Sequence, residues 1–350
     1  MAGYNSTLNQ RITSRAIISA LVLWLAFSGR AAAEQFYVNE GGWWRVDGAF
    51  NASGTPISAA VGAAAAGDSI YVWNGSYTEN VNVDKPRLTL EGEGADVVTV
   101  TAADSGDHVF EVTADHVNIS EFAVRGATDF DMLGIHLDNA DCCDISRNNI
   151  YGNHRGIYLD YSSSNTPTNN IVNSNKYSYE ADGIDLGNAD NNIISCNWVH
   201  HNMQYGFYLS SGSTGNNINY NNIIKNGNYN ATSGGWEWQF YIDQYQPVEA
   251  KHNYWGAGMN NSTIDASIYD DDESPYRCEV EFYPFETEPV PCAPTPEEPP
   301  AFTTADAAIA LQIAVGSCPS DSRYDVSGDG SVTSLDALMI LQAAADAIEL

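Results

Sequence analysis

Basic residues are scarce in this chain. Fourteen Lys and Arg stand against 45 Asp and Glu, giving a formal charge of −31 over 350 residues at pH 7 with histidines neutral. So few cations exclude nucleic acid as a phosphate-held partner, because that affinity comes from Lys and Arg displacing counterions. Long apolar runs are also missing. The longest, Ala16–Phe27, is too short to cross a bilayer, and no later segment approaches that length. Between residues 134 and 243 no stretch is long and apolar enough for a helix, which removes βαβ crossovers and the α/β classes built from them.

That same region is filled by self-similar blocks. Gly134-Ile135-His136-Leu137-Asp138 is followed by Gly156-Ile157-Tyr158-Leu159-Asp160, Gly183-Ile184-Asp185-Leu186-Gly187, Gly206-Phe207-Tyr208-Leu209-Ser210 and Gln239-Phe240-Tyr241-Ile242-Asp243, spaced by 22, 27, 23 and 33 positions. Each alternates apolar and polar, the period of a strand with one buried face. A second short strand follows each block: Asp144-Ile145, Asn170-Ile171-Val172, Asn192-Ile193-Ile194 and Asn217-Ile218-Asn219. Asn139-Ala140-Asp141 recurs as Asn188-Ala189-Asp190 and fixes the register. Asn and Gly tolerate left-handed corners, so a parallel β-helix with one coil per repeat is the economical fold. Phe110 and Val112 extend the pattern upstream, and Asn253-Tyr254-Trp255-Gly256 closes it.

Residues 1–33 have the form of a secretory signal, with Arg11 and Arg15, the apolar run, and Ala31-Ala32-Ala33 before Glu34. Its loss would remove three arginines and no acid, taking −31 to −34. A secreted, cell-surface location without membrane insertion is expected. Six cysteines allow fifteen disulfide pairings. A Cys142–Cys196 bridge is discounted, since the two lie two coils apart, roughly 9–10 Å. Cys142 and Cys143 are expected as buried free thiols, and Cys278, Cys292 and Cys318 could staple the tail. Sequons at Asn51, Asn74, Asn118, Asn230, Asn260 and Asn261 fit a glycosylated exterior.

Upstream, Thr55-Pro56 opens a short helix with Ile57, Ala60, Val61 and Ala64 on one face and Gly67 as its stop. A lone amphipathic helix there would cap the solenoid's open end. The segment Gly67–Val72 with Asn74-Gly75-Ser76-Tyr77, the Gly-Ile-x-Leu rungs and the Asn-Tyr-Trp-Gly close resemble the NosD-like, pectate-lyase-like right-handed β-helix proteins of secreted archaeal and bacterial type. The resemblance covers about residues 36–286. It implies the fold and leaves the chemistry open, because that superfamily holds lyases, hydrolases, epimerases and structural proteins. Lyases of this type need a Lys or Arg base, and Arg155 alone lies near the rungs. Polygalacturonase-like motifs are absent, Asp270-Asp271-Asp272 falls outside the repeats, and nothing resembles a copper cluster. His200-His201 is expected to be a solvated corner.

Residues 287–301 are rich in Pro and Glu and read as an extended linker of roughly 45 Å, so the β-helix domain is set at 34–286 and a small α-helical domain at 302–350. The tail segment Asp325–Asp336 presents oxygens from Asp325, Ser327, Asp329, Ser331, Thr333 and Asp336 at EF-hand loop positions, with Gly330 at the sharp turn. This spacing suits one Ca²⁺ ion. Asp rather than Glu at the last position, followed by Ala337–Gln342, is similar to type I dockerin modules. Asp306, Leu311 and Gln312 repeat Asp336, Leu341 and Gln342 thirty residues earlier, but Thr295, Glu297 and Pro299 cannot form the first copy's ion site. The dockerin resemblance implies a cohesin-type protein as partner.

Alternation turns His136, Tyr158, Asp185, Tyr208 and Tyr241 outward in one column, with Asp138, Asp160, Gly187, Ser210 and Asp243 beside them. Adjacent coils bring Asp138 and Asp160 within interaction range, where a carboxylate pair can share a proton or act as acid and base. The tyrosines offer faces for sugar rings. The expectation is a polysaccharide-binding β-helix protein carried by its dockerin-like tail. A lyase or glycoside hydrolase using Asp138, Asp160 and Arg155, and a structural envelope protein without a ligand, are the alternatives.

Overall fold

Three parallel ladders of short strands wind into a right-handed solenoid in the computed structural model, which describes residues 33–177, 181–294, 304–317, 324, 326 and 331–343. The faces hold twelve, seven and eight strands and are called here faces I, II and III. A typical coil runs Asp144–Ser146 on face I, Asn149–Tyr151 on face II and Arg155–Asp160 on face III; the next repeats it with Thr166–Thr168, Ile171–Asn173 and Ile184–Gly187. The register is the expected one: Ile135 pairs with Ile157, Ile157 with Ile184, Ile184 with Phe207, and Phe207 with Phe240. These inward residues are fully buried, together with Leu137, Leu159, Leu186, Leu209 and Ile242. Asn139 and Asn188 turn their corners at φ 50°, where asparagine is among the few residues tolerated.

Inside the wall run ladders of buried asparagine. In one, the Nδ2 of Asn148, Asn170, Asn197 and Asn221 donates to the Oδ1 of the asparagine one coil on, at 3.0–3.2 Å, ending on Asn253. Each Nδ2 also reaches back to a backbone carbonyl one coil before, as Asn197 does to Pro167 at 2.9 Å. Each Oδ1 takes a backbone N–H as well, Asn170 N to Asn197 at 2.9 Å. A parallel ladder runs through Asn153, Asn175, Asn202 and Asn226. Its last rung is Gln239, which accepts from Asn226 N at 3.3 Å and donates to Trp255 O at 3.0 Å. The amides satisfy corner backbone groups that no sheet can reach. They also explain the glycine opening each rung: a Cβ on Gly156 would sit 2.3 Å from Gly183 O and 3.0 Å from Asn175 Nδ2.

Helix α1 (Pro56–Ala63) covers the N-terminal opening and buries Ile57, Ala60 and Val61. Its cap comes from elsewhere in the chain. Thr55 makes no side-chain cap bond, whereas the buried carboxylate of Glu79 accepts the N–H groups of Ile57 and Ser58 at 3.0 and 2.8 Å. The helix stops at Ala63, before Gly67, because the carboxylate of Asp68 accepts the N–H of Ala65 at 2.7 Å.

The structure departs from expectation in three ways. Asn253–Gly256 does not close the series. After helix α2 (Asn261–Asp265), Ile268–Tyr269 joins face III and Val280–Glu281 joins face I, so Asp270 directly follows a rung. The domain boundary falls between Ala293 and Pro294 rather than at 286. Residues 287–293 lie on the solenoid because Val290 is buried and donates to Asn222 at 2.8 Å, while Cys292 forms a disulfide with Cys196. Third, Cys143 is a buried free thiol but Cys142 is exposed, since its positive φ, 59°, turns it off the wall. The signal assignment and Cys318 lie outside the described residues.

The second unit packs helix α3 (Thr304–Ala314) on helix α4 (Ser334–Ala343). Ala307, Ala310, Tyr324, Ala337 and Ile340 form its core.

Candidate functional site

Face III carries the outward column as one ladder: His136, Tyr158, Asp185, Tyr208, Tyr241 and finally Tyr269 are successive register partners. Its two halves differ in character. In the N-terminal half the column is covered. Arg155 places Nη1 3.1 Å from Asp131 and 3.4 Å from Asp185, over the Tyr158 ring, with 11% of its side chain exposed. Asp185 is 1% exposed, so the expected outward carboxylate is an ion-pair partner under the surface. Arg155 is thus held between two carboxylates. The His136 ring stacks on Tyr158 at 5.7 Å and 15°.

Asp138 and Asp160 are register partners, as the spacing required. Asn139 donates to Asp138 at 2.6 Å, and the Tyr158 hydroxyl donates to Asp160 at 3.2 Å. Burial raises the Asp160 carboxyl above its ordinary range, opposed by the Tyr158 hydrogen bond and reinforced by the charges of Asp138 and Asp131. The Asp column breaks at Gly187 because the Tyr158 hydroxyl lies 2.5 Å from where a Cβ would stand.

The C-terminal half is a tyrosine platform. Tyr241 and Tyr269 stack face to face at 4.3 Å and 5°, Tyr205 lies on Tyr241 at 4.4 Å, and Tyr208 stands 5.8 Å from Tyr241. All four are half-buried. Tyr205 and Tyr269 were missed as sequence candidates: Tyr205 precedes its rung, and Tyr269 sits on a rung without the glycine signature. At the edge, the Tyr208 hydroxyl donates to Asp243 at 3.2 Å, and Arg277 pairs with Asp243. Burial first, then Tyr205 and Tyr269, push the Tyr241 phenol up to about 12, so its hydroxyl stays protonated at neutral pH.

A further cluster went unseen in the sequence. His108, Glu111 and His136 bring ligand atoms within 4.8 Å of one another. Glu111 and His136 are register partners, whereas His108 precedes its strand, so no fixed spacing announces the group. Both ring nitrogens of His136 are buried without a hydrogen-bond partner. His108 Nδ1 accepts the N–H of Leu133 at 3.1 Å. His201 is the exposed corner expected, at φ 54°, whereas His200 is packed under Trp198 at 4.7 Å, and burial drives its pKa down to about 3.

In the tail, Asp336 is buried and its Oδ2 accepts the Thr333 N–H and hydroxyl at 2.7 and 2.8 Å, which caps α4. Ser331 is exposed. Asp325, Ser327 and Asp329 lie outside the described residues.

A right-handed β-helix with asparagine-laddered walls and an aromatic outer face defines the structural class. The chain belongs to the NosD family: residues 61–260 match the family model described as periplasmic copper-binding protein (NosD). No curated protein matches it. Among solved structures it is similar to ORF18 of Geobacillus virus E2 (14% identity, TM-score 0.43), covering 58% of this chain and 54% of that one, about half the viral protein's length. It is also similar to an alginate lyase from Paenibacillus sp. str. FPU-7 (17%, 0.38, covering 61% and 94%) and to pectin methylesterase PemA from Erwinia chrysanthemi (12%, 0.37, covering 68% and 70%).

Proposed function

We propose that the protein is a secreted or envelope-associated module that binds polysaccharide along the C-terminal half of face III. The Tyr205–Tyr208–Tyr241–Tyr269 platform carries this reading: uncharged aromatic faces in a row, with Asp243 and Arg277 at their edge, suit pyranose rings. Among the described residues no helix is long and apolar enough to cross a membrane. The test is a glycan-array and depolymerisation screen of the full chain. Binding without cleavage is expected, weakened at least tenfold by Tyr208→Ala with Tyr241→Ala. Unaltered affinity in that variant would sink the platform. Release of unsaturated or reducing ends, abolished by Asp160→Asn, would instead favour the lyase or hydrolase reading, for which the elevated Asp160 carboxyl beside Asp138 is the supporting observation. No glycan binding at all would leave the structural reading.

The tail is proposed as a Ca²⁺-dependent docking module for a cohesin-type partner. Exposed Leu311, Leu335, Leu338 and Leu341 on its two helices support an apolar contact surface, and the all-oxygen donor set from Asp325 to Asp336 suits a hard cation. Asp325→Ala with Asp336→Ala should abolish Ca²⁺-dependent capture by a cohesin probe; undiminished capture would refute docking.

The copper in the family's description has one fitting cluster among the described residues. Two imidazoles and a carboxylate suit Cu²⁺ or Zn²⁺, and an ion would satisfy one of the two unengaged buried nitrogens of His136. His108 would have to release the Leu133 N–H. Equilibrium dialysis with Cu²⁺ should show one site, lost in His136→Asn; full retention in that variant would dismiss the cluster.

A further inference from the structure

A second aromatic surface lies on face I, at the opposite end of the solenoid from the tyrosine platform. The antiparallel strand Gly42–Arg45 extends face I beside Gln35–Asn39, which pairs with Ser69–Val72 and then Thr89–Gly92. One outward row across these strands reads Trp44, Tyr37, Tyr71, Glu91, each the register partner of the next. The rings touch in sequence: Trp44 stacks on Tyr37 at 5.7 Å and 27°, Tyr37 meets Tyr71 edge-on at 6.5 Å, and Tyr71 meets Trp73 at 5.5 Å. The neighbouring row, Gln35, Ser69 and Thr89, offers an amide and two hydroxyls without charge.

These residues, Trp44 excepted, line an open groove of about 420 Å³, within the size range of small-ligand sites. Trp73 is 41% exposed at its edge. No Lys, Arg or His lines the groove. Arg45, on the added strand, is turned away toward α1, paired with Glu34 at 3.0 Å and donating to Ala63 O at 3.2 Å. Glu91 supplies the groove's charge, and Glu93 stands close by, holding Asn74 N at 2.8 Å.

We infer that this groove is a second glycan site, selective for non-anionic sugars. The tyrosine and tryptophan faces stack the rings, Gln35, Ser69 and Thr89 bond their hydroxyls, and Glu91 sits at the end where a protonated amine would be held. A uronate would meet Glu91 and Glu93 with no cation among the lining residues to offset them, and like charges at such range repel. Neutral and amino sugars therefore enter, and polyuronates do not. The site is independent of the face III platform.

Titration calorimetry on the full-length protein with cellohexaose, a glucosamine hexamer and a galacturonate hexamer tests this. Cellohexaose and the glucosamine hexamer should bind, the galacturonate at least tenfold more weakly. Tyr71→Ala with Trp73→Ala should lose at least tenfold for both ligands, while Tyr71→Phe keeps binding if the double variant misfolds. Glu91→Gln should weaken the glucosamine hexamer alone. Tyr241→Ala should leave this site intact, which separates its failure from failure of the face III reading. Equal galacturonate binding, binding indifferent to Tyr71 and Trp73, or no binding of any of the three overturns the inference.

Discussion

Single side chains set several of the molecule's sharpest constraints. His200 is held neutral by burial, then by the nearby His201 and Lys225. Its pKa is about 3 in the fold against about 6.5 in an unfolded chain. The unfolded state therefore binds the extra proton first as pH falls, and stability drops between about pH 6.5 and 3 by up to ~1.4 kcal/mol per pH unit. Urea midpoints measured at pH 7 and 5 should fall more for the wild type than for His200→Asn. Equal slopes would contradict the burial argument. Gly156→Ala is a second residue-scale prediction. The added methyl meets a backbone carbonyl and Val172 Cγ1 at 2.3 and 2.5 Å, an overpacking that costs about 2–3 kcal/mol. Thermal unfolding checks it.

At the scale of elements, the strands were legible and their supports were not. Alternation in Gly-Ile-x-Leu gave the buried face, the register and the stacking, because period 2 is a local property of the chain. The asparagine ladders are not local. Asn148, Asn170 and Asn197 bond to partners 22 and 27 residues away, and in the sequence they resemble ordinary turn residues. The same holds for the sites: Asp138 and Asp160 were brought together as their spacing required, while Asp185 and Arg155 were hidden by an ion pair that depends on Asp131 from a connecting loop. Asn197→Ala should cost about 3 kcal/mol, since it strands the Asn170 N–H and the Pro167 carbonyl inside the wall. Asn197→Asp should be worse at pH 7 than at pH 4, because it buries a charge that acid neutralises. Chemical denaturation of both variants would test the ladder; no loss in either would make it ornamental.

For the whole molecule, the main sequence error was where the solenoid ends. Pro and Glu at 287–293 look like linker, yet Cys292 is tied to Cys196, 96 residues away. A loop that long confers up to ~4.7 kcal/mol by the chain-entropy model. Cys292→Ser should lower the melting temperature and open 287–293 to protease while the coils persist. Deleting 294–350 should leave the solenoid's melting unchanged, because its coils stack on one another; a melted β-helix would disprove the boundary.

The asparagine wall also acts as a length gauge. Each coil presents amide donors and acceptors that only another laddered coil can satisfy, which is a template for endless end-to-end growth into filaments. The chain interrupts that template at both ends: α1 covers one mouth, and at the other the two ladders finish on Gln239 and Asn253, one coil before the last strands, Ile268–Tyr269 and Val280–Glu281.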